Sequence, residues 1–251
     1  MRQKILTANW KMNQTRATIN NFFNTFEKEC PSALTNTQIR FAVPYTLIET
    51  AHSRCKNTPF QIGAQNVHQK TKGAYTGEIS IEMLQEIGAS FTLLGHSERR
   101  QYQNETNEVI ASKVQACQKS NFGIIACVGE TLKQREEGKT SAIILDQLEA
   151  ILKEWVNNNN QLIIAYEPVW AIGTGLSASP KQAQEVHQTI RSVISSTLGS
   201  AIAQSTPILY GGSMNPDNIR PLLEQADIDG GLVGGASLDP SKFADMLKQI
   251  V

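Results

Sequence analysis

Eight short runs of β-forming residues recur along the chain with helix-patterned segments between them, and this alternation limits the fold more than any other feature. The runs are 4–9, 38–43, 61–65, 91–94, 123–128, 162–166, 207–210 and 230–233. Strands alternating with helices at this spacing predict parallel β-α units. A run as continuously apolar as Gly123-Ile124-Ile125-Ala126-Cys127-Val128 suits a sheet covered on both faces. Eight such units predict an α/β fold closed as one (β/α)8 barrel, a single catalytic domain over 1–251, and 251 residues is a length one barrel fills. No stretch reads as an interdomain linker. An open doubly wound sheet is the rival, but its glycine-rich fingerprint is missing after the first strand, where Asn9-Trp10-Lys11-Met12-Asn13 stands.

Composition narrows the partners. Hydrophobic residues make up 40% of the chain and charged ones 18%, which supplies a large core and excludes a disordered chain. Lys plus Arg number 23 and so do Asp plus Glu, so no global field draws the chain to nucleic acid or to an anionic membrane, and any anion site is local. The N-terminus turns polar too early for a secretory segment and no apolar run approaches ~18 residues, so the expectation is a soluble, unprocessed, cytoplasmic protein. Cys30, Cys55, Cys117 and Cys127 lie far apart and read as free thiols in a reducing compartment. His52, His68, His96 and His187 are equally scattered, without helical metal-pair spacing, so no metal is expected.

Helix signals support the alternation. Ser179-Pro180 reads as an N-cap followed by proline at the first helical position, Val186, Ile190, Val193 and Ile194 repeat at helical spacing, and Gly199 closes the segment. Asn157-Asn158-Asn159-Asn160 suits a surface loop before the sixth strand.

In a parallel barrel the reactive groups belong just after strand C-termini. Asn9 and Lys11 fall there after the first strand, Gly95-His96-Ser97-Glu98 after the fourth, Glu167 after the sixth, and the pairs Gly211-Gly212 and Gly234-Gly235 after the last two. Glu167 is either a strand-terminal glutamate in water or a base facing the barrel mouth. The run behind it, Pro168-Val169-Trp170-Ala171-Ile172-Gly173-Thr174-Gly175-Leu176-Ser177-Ala178, has a stiff start, an apolar middle and a glycine-rich tip. It exceeds the roughly 2–6 residues of an ordinary connection, which favours a closing lid over a plain loop. Each glycine pair alone reads as a tight turn. Two pairs after the last two strands, each with a helix expected soon after, match the place where such barrels bind phosphate on main-chain N–H groups. Lys11 is either solvated or an ammonium fixed on developing negative charge. His96 is either a satisfied core histidine or a neutral imidazole that donates a hydrogen bond, since the helix start after it disfavours the imidazolium.

These runs resemble the triosephosphate isomerase family over essentially the whole chain. The similarity is carried by Ala8-Asn9-Trp10-Lys11-Met12-Asn13, Gly95-His96-Ser97-Glu98-Arg99-Arg100, Cys127-Val128-Gly129-Glu130-Thr131, Ala165-Tyr166-Glu167-Pro168-Val169-Trp170-Ala171-Ile172-Gly173-Thr174-Gly175, Tyr210-Gly211-Gly212-Ser213 and Gly231-Leu232-Val233-Gly234-Gly235-Ala236-Ser237-Leu238. That resemblance implies a TIM barrel that interconverts dihydroxyacetone phosphate and D-glyceraldehyde 3-phosphate through an enediol(ate), with no cofactor and no metal, in glycolysis and gluconeogenesis. Pairing of a carboxylate base with a neutral histidine under a closing loop is a worked case for this family in general enzymology, and the roles here come from the resemblance. Glu167 would move the carbon-bound proton, His96 would polarise the carbonyl and shuttle protons between oxygens, and Asn9 and Lys11 would bind substrate and steady the oxyanion. The phosphate would sit on N–H groups of Gly173, Ser213, Gly234 and Gly235. The loop Gly73-Ala74-Tyr75-Thr76-Gly77-Glu78 is similar to the one that reaches into a partner subunit, which implies a homodimer with Tyr75, Thr76, Gly77 and Glu78 at the contact. Leu176 and Ser177 stand where Lys and Thr are frequent, and Asn215-Pro216 replaces a more usual pair, which bears on lid motion and not on catalytic roles.

Two other readings compete. A phosphosugar aldolase would require an inward lysine on a mid-barrel strand and a metal-dependent epimerase His and Asp ligands at strand ends; neither pattern is present. A catalytically silent binding protein on the same fold is opposed by the joint presence of Asn9, Lys11, His96 and Glu167.

Overall fold

The structure, a computed structural model, describes residues 2–31, 34, 36–155, 162–171 and 177–250. Eight parallel strands close in sequence order: β1 (Lys4–Asn9), β2 (Thr37–Ala42), β3 (Gln61–Ala64), β4 (Phe91–Leu94), β5 (Gly123–Val128), β6 (Leu162–Tyr166), β7 (Ile208–Tyr210) and β8 (Gly230–Val233), with β8 pairing back onto β1. Around them run α1 (Arg16–Glu29), α2 (Ile48–Cys55), α3 (Ile81–Glu86), α4 (Ser97–Tyr102), α5 (Asn107–Lys119), α6 (Leu132–Glu136), α7 (Thr140–Lys153), α8 (Pro180–Leu198), α9 (Ser200–Ser205), α10 (Ile219–Leu223) and α11 (Pro240–Lys248). The expected (β/α)8 barrel is the observed fold.

Four strand ends differ from the pattern by one residue; the first is the start of β2, where Thr37 already pairs with Lys4. Pro207 has no N–H to give a ladder, although its carbonyl still accepts from Ile164 N–H at 3.1 Å. Val43 lies just past β2, yet its N–H reaches the Gly63 carbonyl at 3.0 Å. Gln65 lies just past the end of β3.

Continuous apolar strands serve two cores. Ile5, Phe91, Leu93, Ile125, Cys127, Ile163, Ala165, Leu209 and Leu232 point inward and fill the barrel. Alternate residues such as Leu6, Ile39, Ile124 and Ile164 point outward under the helices. On α1, Ile19, Phe22, Phe23 and Phe26 bury one face, and Phe22 meets Trp10 edge-on at 4.9 Å. Trp10 is fully buried, and it anchors the chain between Asn9 and Lys11.

α8 begins as its sequence predicts: Ser179 Oγ accepts from Gln182 N–H, the Gln182 side chain accepts from Ser179 N–H, and Pro180 sits in the first turn. Gly199 ends it with φ of 92°, a left-handed conformation that favours glycine. The four asparagines 157–160 lie outside the described residues. Among the described residues no helix is long and apolar enough to cross a membrane, and no group of three or more His, Cys, Asp or Glu could hold a metal ion.

His187, on α8, is completely buried, with Nδ1 3.1 Å from the Asp227 carbonyl and its ring edge-on to Tyr166. Burial, only partly offset by that carbonyl and by Asp229, lowers its pKa to about 4. The unfolded chain, with an ordinary histidine near ~6.5, therefore takes up a proton that the folded chain refuses as pH falls from ~6.5 to ~4. We expect folding stability to decline across that window by about 3 kcal/mol from this residue alone. Urea unfolding at pH 7.5 and pH 4.5 checks this, since a His187→Gln variant should show a shallower decline than the parent; equal declines would contradict it.

Candidate active site

At the C-terminal end of the strands lies a cavity of about 480 Å³. Its lining includes Asn9, Lys11, His96, Glu167, Ser213, Gly234 and Gly235. These are all the catalytic and substrate-binding residues expected from sequence except Gly173, which lies outside the described residues with the rest of 172–176.

Glu167 directly follows β6, and its N–H continues the ladder to the Val128 carbonyl at 2.7 Å. Its side chain is not in water: the residue is 2% exposed. Oε2 accepts the Ser97 N–H at 2.9 Å and Oε1 lies 2.9 Å from His96 Nε2. Burial pushes the carboxyl upward, but His96, the Ser97 N–H and Lys11 outweigh it and hold the pKa below the usual glutamate value. In this position the group is an ionised, weakly basic carboxylate.

His96 caps α4, and its Nδ1 accepts the Glu98 N–H at 3.2 Å. A main-chain N–H can only donate, so the ring proton belongs on Nε2, which then donates to Glu167. Burial disfavours the imidazolium, while the Glu167 carboxylate favours it and carries the balance above the ordinary histidine pKa. The helix start thus acts as the sequence implied, through the Glu98 N–H, but sequence gave no warning of the opposing carboxylate. A second proton on Nδ1 would face the Glu98 N–H, donor against donor, and the largest upward pull comes from Glu167 on Nε2, with a smaller one from the Glu98 carboxylate 3.7 Å from Nδ1. The neutral tautomer fits the geometry.

Lys11 holds a left-handed backbone at φ 52°, uncommon for a side-chain-bearing residue. Asn9 Oδ1 accepts its N–H at 3.1 Å, and Gln65 Nε2 donates to its carbonyl at 2.9 Å and to the Ala42 carbonyl at 3.0 Å. Its ammonium pairs with Glu98 Oε1 at 2.5 Å, so it is a tethered cation, although the side chain is still partly exposed. A Cβ at Gly234 would sit 3.4 Å from Lys11 Cε, so the charge lies beside the second glycine pair.

The two glycine pairs have different uses. Gly234 precedes a 3-10 helix at Gly235–Leu238, both glycines line the cavity, and at Gly235 an added Cβ would meet open space. After Gly211-Gly212 the next helix, α10, starts only at Ile219, so the expected helix end is not at the cavity. A Cβ at Gly211 would lie 2.9 Å from Glu167 Cγ, and one at Gly212 2.2 Å from the Tyr210 hydroxyl. This pair gives clearance to Glu167 and Tyr210.

The described parts of the 168–178 loop are fastened. Val169–Ala171 forms a 3-10 turn, Val169 N–H donates to the Glu130 carbonyl, and Trp170 Nε1 donates to the buried Glu130 carboxylate at 3.0 Å. Arg135 stands over the Trp170 ring at 4.8 Å. Ser213 Oγ donates to the Ala171 carbonyl at 2.9 Å, and Ala178 N–H donates to the Tyr210 hydroxyl at 3.1 Å.

A family model described as triosephosphate isomerase matches residues 4–250. The chain belongs to the triosephosphate isomerase family. A triosephosphate isomerase of Dictyoglomus turgidum is 44% identical over 252 residues, covering 99% of this chain and 100% of the relative. One of Delftia acidovorans is 43% identical over 247 residues, covering 98% of each, and one of Flavobacterium johnsoniae is 42% identical over 251 residues, covering 100% of each.

Within this member of the triosephosphate isomerase family, sequence reasoning missed Gln65 and Glu130. Gln65 follows β3 as Lys11 follows β1, so the strand-end rule could have found it. Glu130 was quoted only within a matching run; its burial and its three partners, Arg135, Tyr166 and Trp170, required the fold. Among the described residues the buried lysine is Lys113, which lies on α5 with Glu105 and Asn66, outside the barrel, and not where a Schiff-base aldolase would hold one.

Proposed function

We propose that the chain is a triose-phosphate isomerase that interconverts dihydroxyacetone phosphate and D-glyceraldehyde 3-phosphate by proton transfer through an enediol(ate). The carrying observation is the buried carboxylate of Glu167, held between His96 Nε2 and the Ser97 N–H at the edge of a cavity that also holds Lys11. In that position the hydrogen bonds keep Glu167 a weak base. Once it turns from them toward a substrate carbon, burial is opposed only by the smaller effect of the Lys11 charge and raises its basicity toward the range a general base requires. It then takes the proton from one carbon and returns it to the neighbour. His96, freed of Glu167, directs Nε2–H at the substrate carbonyl, and the Lys11 ammonium with Asn9 steadies the charge that develops on oxygen. Ser213, Gly234 and Gly235, with Gly173, receive the phosphate on main-chain N–H groups. We assign no cofactor, and treat 1–251 as one catalytic domain because β8 closes on β1.

The 168–178 segment is read as the lid that excludes water, which keeps the intermediate from expelling its phosphate. A homodimer is supported by exposed apolar residues, Met12 at 96%, Tyr102 at 68% and Tyr75 at 44%, and Tyr75, in the loop read as the contact, packs at a tilt against His68 with ring centroids 4.4 Å apart. Cysteines whose pKa burial raises, Cys55 and Cys117 to about 12, suit a reducing compartment such as the cytoplasm. A coupled isomerase assay on the purified chain, with and without a phosphorylated enediolate mimic, tests the reading. Turnover that the mimic blocks is expected, and no turnover of either triose phosphate would overturn it.

A further inference from the structure

β5 outlasts its neighbour β4, and the groups this leaves over are met by side chains. Gly123 N–H donates to the Ser90 carbonyl, so Gly123, Ile125, Cys127 and Gly129 turn their main-chain groups toward β4 by the strand's period of two. β4 ends at Leu94, and Gly95, at φ 67°, turns the chain into His96 and α4. No strand remains opposite Gly129. Arg100 Nη2 donates to the Cys127 carbonyl at 3.2 Å, and Gln147, reaching in from α7, takes both groups of Gly129. Its Oε1 accepts the Gly129 N–H at 2.8 Å and its Nε2 donates to the Gly129 carbonyl at 3.1 Å. A carboxamide carries acceptor and donor side by side, so one glutamine replaces the missing strand.

Gly129 is also where the main chain of Glu167 rests. A Cβ there would lie 1.7 Å from the Glu167 carbonyl oxygen and 3.3 Å from its Cα. Glu167 N–H bonds the Val128 carbonyl and Val169 N–H the Glu130 carbonyl, one residue to either side of Gly129. Gln147 is buried and is not among the residues that line the cavity.

We propose that Gln147 is a positioning residue for Glu167: by clamping Gly129 it fixes the main chain from which the base projects. This rests on Glu167 being the base. A shift of about 1 Å in a reacting group can lower a rate on the order of 10²-fold, so the clamp bears on turnover more than on phosphate binding.

Two variants test it. Gln147→Met keeps the length and removes both hydrogen bonds; Gln147→Glu keeps the acceptor for Gly129 N–H and loses the donor. We expect kcat to fall about 10- to 100-fold in Gln147→Met and less in Gln147→Glu, with KM and the inhibition constant of inorganic phosphate changed by less than about twofold. Affinity for a phosphorylated hydroxamate mimic of the enediolate should fall in step with kcat/KM. Folding is checked by circular dichroism, and if Gln147→Met does not fold, Gln147→Glu carries the comparison. Folded variants with parental kcat, or with KM and phosphate inhibition shifted as much as kcat, overturn the role of Gln147 while the functional reading stands. A parent chain that does not isomerise triose phosphates overturns both.

Discussion

Glu167→Gln is expected to lower kcat by about 10²–10⁴, the share a positioned general base contributes, with KM much less affected. The substitution keeps size and removes the basic oxygen. It also upsets His96, because the carboxylate now accepts from two donors, Ser97 N–H and His96 Nε2–H. A carboxamide offers one oxygen, so its NH2 group must face one of those donors. The imidazole cannot relieve the conflict by changing tautomer, since Nδ1 is committed to the Glu98 N–H. Glu167→Asp keeps the charge but withdraws it by about one bond length, and a loss on the order of 10² follows from misplacement alone. Steady-state kinetics on both variants decide the point. Turnover within about threefold of the parent in Glu167→Gln would remove Glu167 from the chemistry.

Gly129→Ala is expected to damage both fold and turnover. The added methyl would meet the Glu167 carbonyl oxygen at 1.7 Å, and that oxygen belongs to main chain, so no side-chain rotation makes room. Because the β5–β6 ladder and the Gln147 clamp hold the same segment, the clash can be relieved only by separating the strands or shifting Glu167. Overpacking of this kind destabilises by about 3 kcal/mol or more, a fall in melting temperature on the order of 10 °C for a chain of this size. A variant that melts within about 2 °C of the parent at full turnover would contradict the packing described.

The architecture was legible because burial on both faces of a parallel sheet leaves its mark as uninterrupted apolar runs, and the polar residues that line the cavity were legible because a barrel places them after those runs. Glu167, His96, Asn9 and Lys11 were found in this way. What remained hidden depends on residues far apart in sequence. The Lys11 ammonium ties to Glu98, the Lys11 carbonyl to Gln65, and Gly129 to Gln147, none of which a local pattern signals. The opposite pKa directions of His96 and Glu167 arise from each other, so neither could be read from its own neighbours. The first glycine pair has a further use that sequence did not show, for a related reason. Gly211-Gly212 looks like a phosphate loop in sequence, but its missing side chains make room for Glu167 and Tyr210, which come from elsewhere in the chain.

The central claim is that one protein base moves a proton between adjacent carbons of a triose phosphate, and isomerisation in deuterated water tests it most directly. Carbon-bound deuterium should appear beside the carbonyl in recovered substrate and in product, as protons held by Glu167 exchange with solvent during the life of the enediolate. Absence of label after many turnovers would contradict an exchangeable carboxylate base and point to hydride transfer.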